Sequence, residues 1–350
     1  MHASLVHGDE YMTNILGVKM PLNRIREINE KSVSFIRSDL YPGGEFVPQE
    51  EARLSLWDLG FRHGFCVYEA PRAFRGKPWQ LKEHLTRFMR SCKACNLEIG
   101  MDQNEVERIC VEVCSLNEHL LVKAEGEDFG ICIEATPGEY GMYGRPLPAP
   151  AGRGKPTFIV RNSLIDMKVI ARIYLKGIHL VTPSTRAIPP MVMDPKIKTR
   201  SRHFQASAIY EAGLMDPSAL PLLLDVYGNL AETTYTNILL VYDGVLMTPA
   251  TCNVLEGINR ANAIYLAKQL NLPVIERDLQ PFHLYNADEA FISSTSRFIS
   301  PVSHYNAVKI GKEMPGPITK RLLGGFCKWA NYDITGLSFL SKEEKAKFGL

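Results

Sequence analysis

The chain has 350 residues, which is enough for two domains rather than one large hydrophobic core. Its 40 basic and 38 acidic side chains give a formal net charge of +2, and no run of like charges stands out. This balance argues against a nucleic-acid partner or an anionic membrane surface. The sequence shows no apolar stretch of transmembrane length and no basic region leading into an apolar core near its start. We therefore expect neither a membrane span nor a secretory signal.

The cysteine pattern bears on metal and redox chemistry. Eight cysteines are present, and Cys92 and Cys95 have the spacing of a C-x-x-C motif. They fall in a segment with helical spacing of apolar residues, and no second Cys/His pair with zinc spacing follows. We predict that both sulfurs pack in a hydrophobic core, with reduced thiols and a cytoplasmic location.

Glycine and proline predict where the chain divides. The segment 137–156 is dense in both and shows no periodicity, as is typical of a loop between domains. We predict an N-terminal extension, a small N-terminal domain, an interdomain loop, a larger C-terminal domain and a tail: residues 1–28, 29–136, 137–156, 157–335 and 336–350.

In the first domain the apolar pattern predicts strands at residues 34–36, 67–74 and 130–135. Two amphipathic helices are predicted over residues 82–95 and 104–116. This part of the chain therefore mixes strands and helices.

The second domain is richer in strands. They are predicted at residues 157–160, 179–181, 221–225, 236–241, 245–247, 274–275 and 289–292, with a tight hairpin at Asp243-Gly244. Helices are predicted over 201–212, ended by Gly213, over 260–270, capped by Asn259, and over 318–329. Because strands outnumber helices and hairpins join several of them, we predict an α/β (α+β) fold. Mixed or barrel-like sheets are favoured over a doubly wound parallel sheet.

Four short segments carry residue types that together suit one kind of cofactor. In chain order they supply a lysine, a strand carboxylate, a helix start and a hydroxyl cluster: Lys198, Glu232, Gly257 and residues 293–296. A lysine amine forms an imine with an aldehyde, and a carboxylate pairs with a protonated pyridine nitrogen. Helix-terminal N–H groups and hydroxyls bind phosphate. The set predicts a site for an aldehyde cofactor that carries a phosphate.

Two lysines compete for the role of the reactive amine. Lys196 and Lys198 both lie where a loop of proline and charged residues leads into a helix. Lys198 is favoured because its neighbours Ile197 and Thr199 would help to bury it. Burial lowers the proton affinity of an amine, which makes it a nucleophile and then a proton shuttle.

Two other charged residues, Glu232 and Arg87, could have either a structural or a functional role. Glu232, on an otherwise apolar strand, either pairs with a nearby basic group or keeps a pyridine nitrogen protonated. Arg87 lies just off the apolar stripe of the first helix. It is either a surface arginine or the cationic fork that a phosphate dianion needs.

The phosphate candidates are ambiguous by themselves. Gly257-Ile258-Asn259 begins a helix, a position that favours anions but is common in proteins. Thr295 and Ser296 end an apolar strand, where a hydroxyl also caps backbone groups.

Further segments extend the pattern over most of the chain. They include Val67-Tyr68-Glu69, His84-Leu-Thr-Arg87, Ile197-Lys198-Thr199, Glu232-x4-Asn237, Gly257-Ile258 and Ala287-Asp288-Glu289. In this order, from about Ser55 to Phe326, they resemble the class IV (fold-type IV) pyridoxal-phosphate aminotransferases. That family contains branched-chain aminotransferases, D-amino-acid transaminases, (R)-selective amine transaminases and aminodeoxychorismate lyase.

The resemblance implies a fold, a cofactor and residue roles. The fold would be a small N-terminal α/β domain with a larger C-terminal pseudo-barrel domain, and the cofactor pyridoxal 5′-phosphate. A homodimer is implied, with a loop of the neighbouring subunit completing the site. Lys198 would be the Schiff-base lysine and Glu232 the partner of the pyridine nitrogen. The phosphate would be held by Arg87, Ile258, Asn259 and Thr295, with Ser296 a further candidate.

The chain departs from the family where substrates are selected. Thr136-Pro137-Gly138 stands where D-amino-acid transaminases have the arginine that binds the substrate carboxylate, and Gly64-Phe65-Cys66 stands where many members have Gly-Asp-Gly. Another cation must therefore bind any carboxylate.

We expect Tyr68, Arg62 and His63 to face the substrate. Arg62 is either the carboxylate-binding residue or a surface arginine without a role in the site. The run after the reactive lysine also puts Arg200 and Arg202 close to it.

The expected reaction moves an amino group between an amino acid or primary amine and a 2-oxo acid, with D-amino acids or (R)-amines favoured. Three alternatives stay open: a branched-chain L-amino-acid aminotransferase, a lyase that eliminates pyruvate, and a protein that binds the cofactor without turnover. No metal is expected.

Overall fold

The computed structural model describes residues 11–13, 19–139 and 155–348. Their helices are Leu22–Lys31 (α1), Leu59–His63 (α2), Leu81–Ala94 (α3), Gln103–Asn117 (α4), Met167–Lys176 (α5), His203–Met215 (α6), Ile258–Gln269 (α7), Pro281–Tyr285 (α8), Pro317–Ala330 (α9) and Lys342–Lys347 (α10). Their strands up to the domain junction are Tyr11–Thr13 (β1), Lys19–Pro21 (β2), Val33–Arg37 (β3), Glu45–Pro48 (β4), Val67–Glu69 (β5), Arg72–Phe74 (β6), Lys77–Trp79 (β7), Glu127–Thr136 (β8) and Thr157–Asp166 (β9). The later strands are Ile178–Val181 (β10), Leu220–Leu224 (β11), Leu230–Thr233 (β12), Asn237–Tyr242 (β13), Val245–Thr248 (β14), Val274–Glu276 (β15), Glu289–Ser294 (β16), Phe298–Tyr305 (β17) and Val308–Lys309 (β18).

The first large sheet is antiparallel, with the order β4-β3-β9-β8-β6-β7 and with β5 also paired to β8. Helices α3 and α4 pack against it through one apolar cluster. The buried residues of α3 follow helical spacing, at Leu81, Leu85, Phe88 and Cys92. Cys95 packs against the same cluster, as the sequence predicted.

The long pairing of β8 with β9 bears on the predicted domain boundary. Glu127 lies opposite Asp166 at one end of this ladder, and Thr136 lies opposite Thr157 at the other. The segment Thr157–Asp166, assigned above to the C-terminal domain, therefore belongs to the first sheet. We propose a boundary near residue 167, because a strand belongs with the sheet that offers it backbone partners. Most of the predicted interdomain loop lies outside the described residues.

The second sheet closes into a barrel. Its order is β12-β11-β10-β17-β16-β13-β14-β15, and β12 also pairs with β13, which completes a ring of six strands. The pairings β10–β11, β10–β17 and β14–β15 are parallel and the others antiparallel. The predicted mixed, barrel-like sheet is therefore confirmed. One apolar cluster draws on the barrel strands, and another joins the barrel to α5, α7 and α9.

Three predicted elements differ in detail. The strand predicted over 67–74 is interrupted at Ala70-Pro71, where the Pro71 carbonyl accepts a hydrogen bond from the Ile131 N–H at 2.8 Å. Helix α6 continues past Gly213, which has no positive φ, and ends at Met215. Helix α7 begins at Ile258 with Gly257 as its N-cap, so Asn259 lies in its first turn and does not cap it.

None of the helices in the described part of the chain is long and apolar enough to cross a membrane. Within the same residues, no three metal-binding side chains come together.

Candidate active site

Three neighbouring barrel strands gather groups that are far apart in the sequence. Glu232 on β12 lies opposite Asn237 on β13, and Asn237 lies opposite Ser293 on β16. The Asn237 amide donates to the Leu255 carbonyl at 3.0 Å, which holds the chain just before α7 against this end of the barrel. The carboxylate, the helix start and the hydroxyl segment therefore share one end of the barrel.

Lys198 is held at the junction of the two domains by its backbone. Its carbonyl accepts a hydrogen bond from the Tyr68 N–H at 2.9 Å, and its N–H donates to the Ser91 hydroxyl at 3.3 Å. The Lys198 Nζ lies 4.5 Å from the centre of the Tyr68 ring. The first domain thus fixes both the position of the lysine and the ring beside its amine.

The two competing lysines line different cavities. Lys198 and Glu232 line the same cavity of about 60 Å³. Lys196 lines a neighbouring cavity of about 1020 Å³ and pairs with Asp194 at 3.0 Å. Ile197 borders both cavities. The amine that shares a cavity with the strand carboxylate is therefore that of Lys198.

The Glu232 carboxylate lies in a poorly hydrated environment. Burial raises its pKa, and this effect is opposed by the hydrogen bond from the Leu255 N–H and by the charges of Lys198 and Arg202. The Leu255 N–H lies 3.2 Å from Glu232 Oε2. Such a carboxyl retains a proton more readily than in water and suits a partner that shares a proton with it.

The N-terminus of α7 borders the larger cavity through Gly257 and Ile258. Its first N–H groups have no intrahelical acceptor, as at every helix start, and no side chain among the described residues caps them. A Cβ on Gly257 would lie 2.0 Å from Asn237 Oδ1, which means that the close approach requires glycine. The arrangement provides backbone donors and a positive helix end for an anion.

Arg87 borders the same cavity from the first domain. Its Nη1 donates to the Glu256 carbonyl at 2.7 Å, immediately before α7. Its Nε and Nη2 donate to the two oxygens of Glu69 at 2.7 and 3.1 Å. The buried Glu69 also contacts His84 Nδ1 at 2.5 Å. The predicted cation is thus present, and it is oriented by two residues to which the sequence analysis gave no role.

Those two residues have strongly shifted acidities. Burial alone would raise the pKa of Glu69, but Arg87 and His84 outweigh it and hold that pKa well below its usual range. Burial lowers the pKa of His84, and the adjacent Glu69 carboxylate opposes that effect. The Val67-Tyr68-Glu69 and His84-x2-Arg87 motifs were the signal that could have found this network.

Comparison with known proteins decides the family. The sequence pattern described as amino-transferase class IV matches residues 66–305. The chain belongs to the class IV aminotransferases. Members of this family use pyridoxal phosphate, and the chain is a pyridoxal-phosphate-dependent aminotransferase.

Individual relatives and solved structures agree with this assignment. A Methanocaldococcus jannaschii protein, provisionally named a branched-chain-amino-acid aminotransferase, is 30% identical over 284 residues, covering 81% of this chain and 93% of the relative. A D-alanine aminotransferase of Staphylococcus epidermidis is 29% identical, covering 83% of this chain and 97% of its own. The branched-chain amino acid aminotransferase from Escherichia coli superimposes with a TM-score of 0.71 and 26% identity, covering 84% of this chain and 93% of that chain. Another branched-chain amino acid aminotransferase, complexed with N-(5′-phosphopyridoxyl)-L-glutamate, superimposes with a TM-score of 0.73 and 28% identity, covering 91% of this chain and 97% of that chain.

In this aminotransferase the remaining phosphate candidates, Asn259, Thr295 and Ser296, are not among the residues that line the two cavities described above. Asn259 is buried, and its amide donates to the Ser294 carbonyl at 2.8 Å, which ties α7 to the end of β16. Thr295 follows that strand and is half-buried. Ser296 borders a separate cavity of about 140 Å³, and its carbonyl accepts a hydrogen bond from Arg72 Nη1 at 2.7 Å.

The predicted substrate residues separate into two groups. Tyr68 is buried beside Lys198. Arg62 and His63 are exposed in the last turn of α2, and the Arg62 guanidinium lies 5.2 Å from the centre of the Trp57 ring. Within the described part of the chain, neither borders the cavity that contains Lys198.

The cations beside Tyr68 are instead Arg200 and Arg202. Their guanidinium carbons lie 3.8 and 4.9 Å from the centre of its ring. The sequence placed both near the lysine but gave neither a role.

Proposed function

We propose that this aminotransferase holds pyridoxal phosphate between Lys198, Glu232 and the start of α7, and that it exchanges amino groups between an amino acid or primary amine and a 2-oxo acid. One observation carries the proposal: the Lys198 amine and the Glu232 carboxylate border the same cavity. An amine that attacks the aldehyde and a carboxyl that shares a proton with the ring nitrogen are the two groups the cofactor requires.

The surrounding residues fit the rest of the cofactor. Arg87 and the uncapped start of α7, at Gly257 and Ile258, supply a cation and free N–H donors for a phosphate. Asn259, in the first turn of α7, and Thr295, just after β16, support this cradle, and Ser296 is the outlying candidate. The cofactor would occupy parts of both cavities, which are neighbours because Ile197 borders each.

When bound, the cofactor supplies an aldehyde that links to the substrate amine and a ring that accepts electrons from the substrate α-carbon. Lys198 Nζ would take the proton from that carbon and deliver it to the former aldehyde carbon of the cofactor. Glu232 keeps a proton on the ring nitrogen. Tyr68 limits the movement of the lysine amine, because its ring lies 4.5 Å from Nζ.

For the amino donor we propose D-amino acids or (R)-amines first, supported by the D-alanine aminotransferases among the relatives. A branched-chain L-amino acid is the second candidate. The apolar side chains that border the Lys198 cavity, Ile188, Met193 and Leu223, favour an aliphatic substrate.

Single-turnover spectroscopy tests these proposals. The enzyme loaded with pyridoxal phosphate is mixed with D-alanine, (R)-1-phenylethylamine or L-leucine. A transaminase consumes the cofactor's aldehyde-derived absorbance once and regains it when a 2-oxo acid is added. A lyase releases pyruvate from a suitable donor and regenerates the same absorbance without an acceptor. No change with any donor would contradict amino transfer.

We also propose a homodimer. Four large apolar side chains in and before α2 are exposed in the single chain: Leu54, Leu56, Trp57 and Phe61, at 52%, 73%, 48% and 72%. A contiguous stretch of this kind is typical of a protein interface. A partner that covers it would lie beside Arg62 and His63, which could then contribute to a shared site.

A further inference from the structure

No acid in the described part of the chain contacts the positive charge of Arg202 directly. Its three guanidinium nitrogens donate to neutral oxygens: the Thr199 carbonyl at 3.2 Å, the Thr234 carbonyl at 2.6 Å and the Tyr68 hydroxyl. Two of its five N–H groups remain after these bonds. Among the described residues, no carboxylate lies within ion-pair distance of it. The guanidinium is therefore fixed in position and able to accept an anionic partner.

The neighbouring Arg200 shows the contrast. Its Nε and Nη2 bind Glu134 Oε1 at 3.0 and 2.6 Å. Both arginines stack on the Tyr68 ring, but only the charge of Arg200 is neutralised by a carboxylate. Arg202 is also the one that borders the cavity containing Lys198 and Glu232.

A second group in this cavity lacks a partner. Gln205 is only 6% exposed and borders the same cavity, and no hydrogen-bond partner of its Oε1 lies among the described residues. It follows Arg202 by three residues, so both side chains leave the first turn of α6 on one face. A buried amide oxygen without a donor is costly, and a ligand that donates to it, or one that accepts from the NH₂ group once the amide has turned over, removes that cost.

We propose that Arg202 and Gln205 form the subsite for the α-carboxylate of the amino acid and of the 2-oxo acid. The inference rests on the proposed amino transfer, because it identifies the substrate anchor of the same site. The carboxylate accepts from the free N–H groups of Arg202 and from the Gln205 amide, with the amide turned to present its NH₂ group. The apolar side chains of Ile188, Met193 and Leu223 then receive an aliphatic side chain.

This assignment replaces Arg62 as the carboxylate-binding cation within one chain. Arg62 is exposed on Trp57, where water and salt weaken a charge interaction. Arg202 is half-buried between the rings of Tyr68 and Tyr235, at 4.9 and 5.0 Å, so a charged hydrogen bond there is stronger. Its position is also fixed before the substrate arrives.

Matched substrates that differ in the carboxylate test the proposal. Steady-state kinetics compare an amino acid with a primary amine as donor, and a 2-oxo acid with an aldehyde as acceptor. Arg202→Met should lower kcat/KM for the carboxylate-bearing substrates about 100-fold, mainly through KM, and change kcat/KM for the uncharged ones by less than about threefold. Arg202→Lys should restore part of the loss. Gln205→Glu, which adds a repelling charge, should raise KM for the same substrates only.

Arg277→Met is the matched control, because Arg277 is exposed and its guanidinium donates to the carbonyl of the neighbouring Asp278. Equal losses for charged and uncharged substrates in both Arg202 variants would show a structural role and overturn the proposal. An unchanged KM for the 2-oxo acid would overturn it as well, and a raised KM in Arg62→Met instead would return the role to Arg62.

A binding measurement separates this inference from amino transfer itself. Calorimetry compares 4-methylvaleric acid, which has no amino or oxo group to react, with the corresponding uncharged alcohol in the cofactor-loaded protein. Wild type should bind the acid, and Arg202→Met should bind it at least tenfold more weakly, whether or not any donor is turned over. Equal affinity of both proteins for the acid would overturn the subsite. A wild type that binds the acid but transfers no amino group would contradict only the proposed function.

Discussion

The carboxylate of Glu69 accepts two hydrogen bonds from the guanidinium of Arg87, at 2.7 and 3.1 Å. The pair leaves Nη1 of Arg87 to donate to the Glu256 carbonyl at the start of α7. Strand β5 and helix α3 of the first domain thereby orient the Arg87 guanidinium toward the start of α7 in the second domain. The alignment of the proposed phosphate site consequently depends on a residue that does not border it.

Glu69→Gln should weaken both the fold and the proposed phosphate site. The amide leaves Arg87 without its carboxylate partner. The free energy of unfolding should therefore fall by about 2–3 kcal/mol. The loss is smaller than for a fully buried unpaired charge, because Arg87 borders a cavity. Retention of pyridoxal phosphate should fall in parallel. Denaturant titration and equilibrium dialysis measure the two effects.

The loss in Glu69→Gln should also depend on pH. The pKa of Glu69 is held below the ordinary 4.5, so its contribution is fully present above that pH and is lost as the pH falls through the lower folded-state value. The difference between wild type and variant should be constant from neutral pH down to about pH 5 and shrink below about pH 4.5. A difference that grows on acidification would contradict the assignment.

Lys198→Ala should abolish covalent attachment of the cofactor while the chain stays folded. Lys196→Ala is the control, since Lys196 borders the other cavity and pairs with Asp194. Borohydride reduction followed by peptide mapping identifies the labelled lysine. A label on Lys196 would show that the reactive amine had been assigned two residues too late.

Glu232→Gln should leave cofactor binding intact and slow the proton transfer by orders of magnitude. A neutral amide cannot keep the ring nitrogen protonated, so the electron-accepting ring loses most of its effect. Stopped-flow absorbance with a reactive donor measures the step. Activity within a few-fold of wild type would show that catalysis does not depend on this carboxylate.

Gly257→Ala tests the close contact at the start of α7. The added Cβ would lie 2.0 Å from Asn237 Oδ1, so the helix start must shift and stability should fall by about 1–3 kcal/mol, with weaker cofactor retention. Gly213→Ala, near the end of α6, is the matched control because nothing lies within 4 Å of its Cβ position. It should be neutral or stabilise by up to about 1 kcal/mol.

Phe61→Asp should weaken the proposed homodimer. Phe61 is 72% exposed in the single chain and lies among other exposed apolar residues. Sedimentation velocity should show a dimer for wild type and a shift toward monomer for the variant, with loss of activity on dilution. Phe282→Asp is the control, because Phe282 on α8 is similarly exposed at 63%. A wild-type monomer with full activity in dilute solution would exclude a shared site.

Elements defined by local pattern could be predicted from the sequence. The apolar spacing of α3 and α4 gave both helices within about one residue at each end, and Asp243-Gly244 is the predicted hairpin between β13 and β14. The side-chain chemistry of Lys198 and Glu232 could also be inferred, because each residue type and its position in the motif order are local properties. A strand at Glu232 was expected, but its separation from β13 as the short strand β12 was not, since four residues after a turn carry little periodicity.

Contacts between residues distant in the chain could not be predicted from such local patterns. The sequence alone determined the cofactor chemistry, because residue types in order reflect what each motif can bind. Only the tertiary structure decided that β9 joins the first sheet, that β12 closes the barrel on β13, and that Glu134 neutralises Arg200 but not Arg202. Strand partners and ion pairs join residues distant in the chain, and several arrangements satisfy the same local preferences. The free energy of the packed whole selects among them.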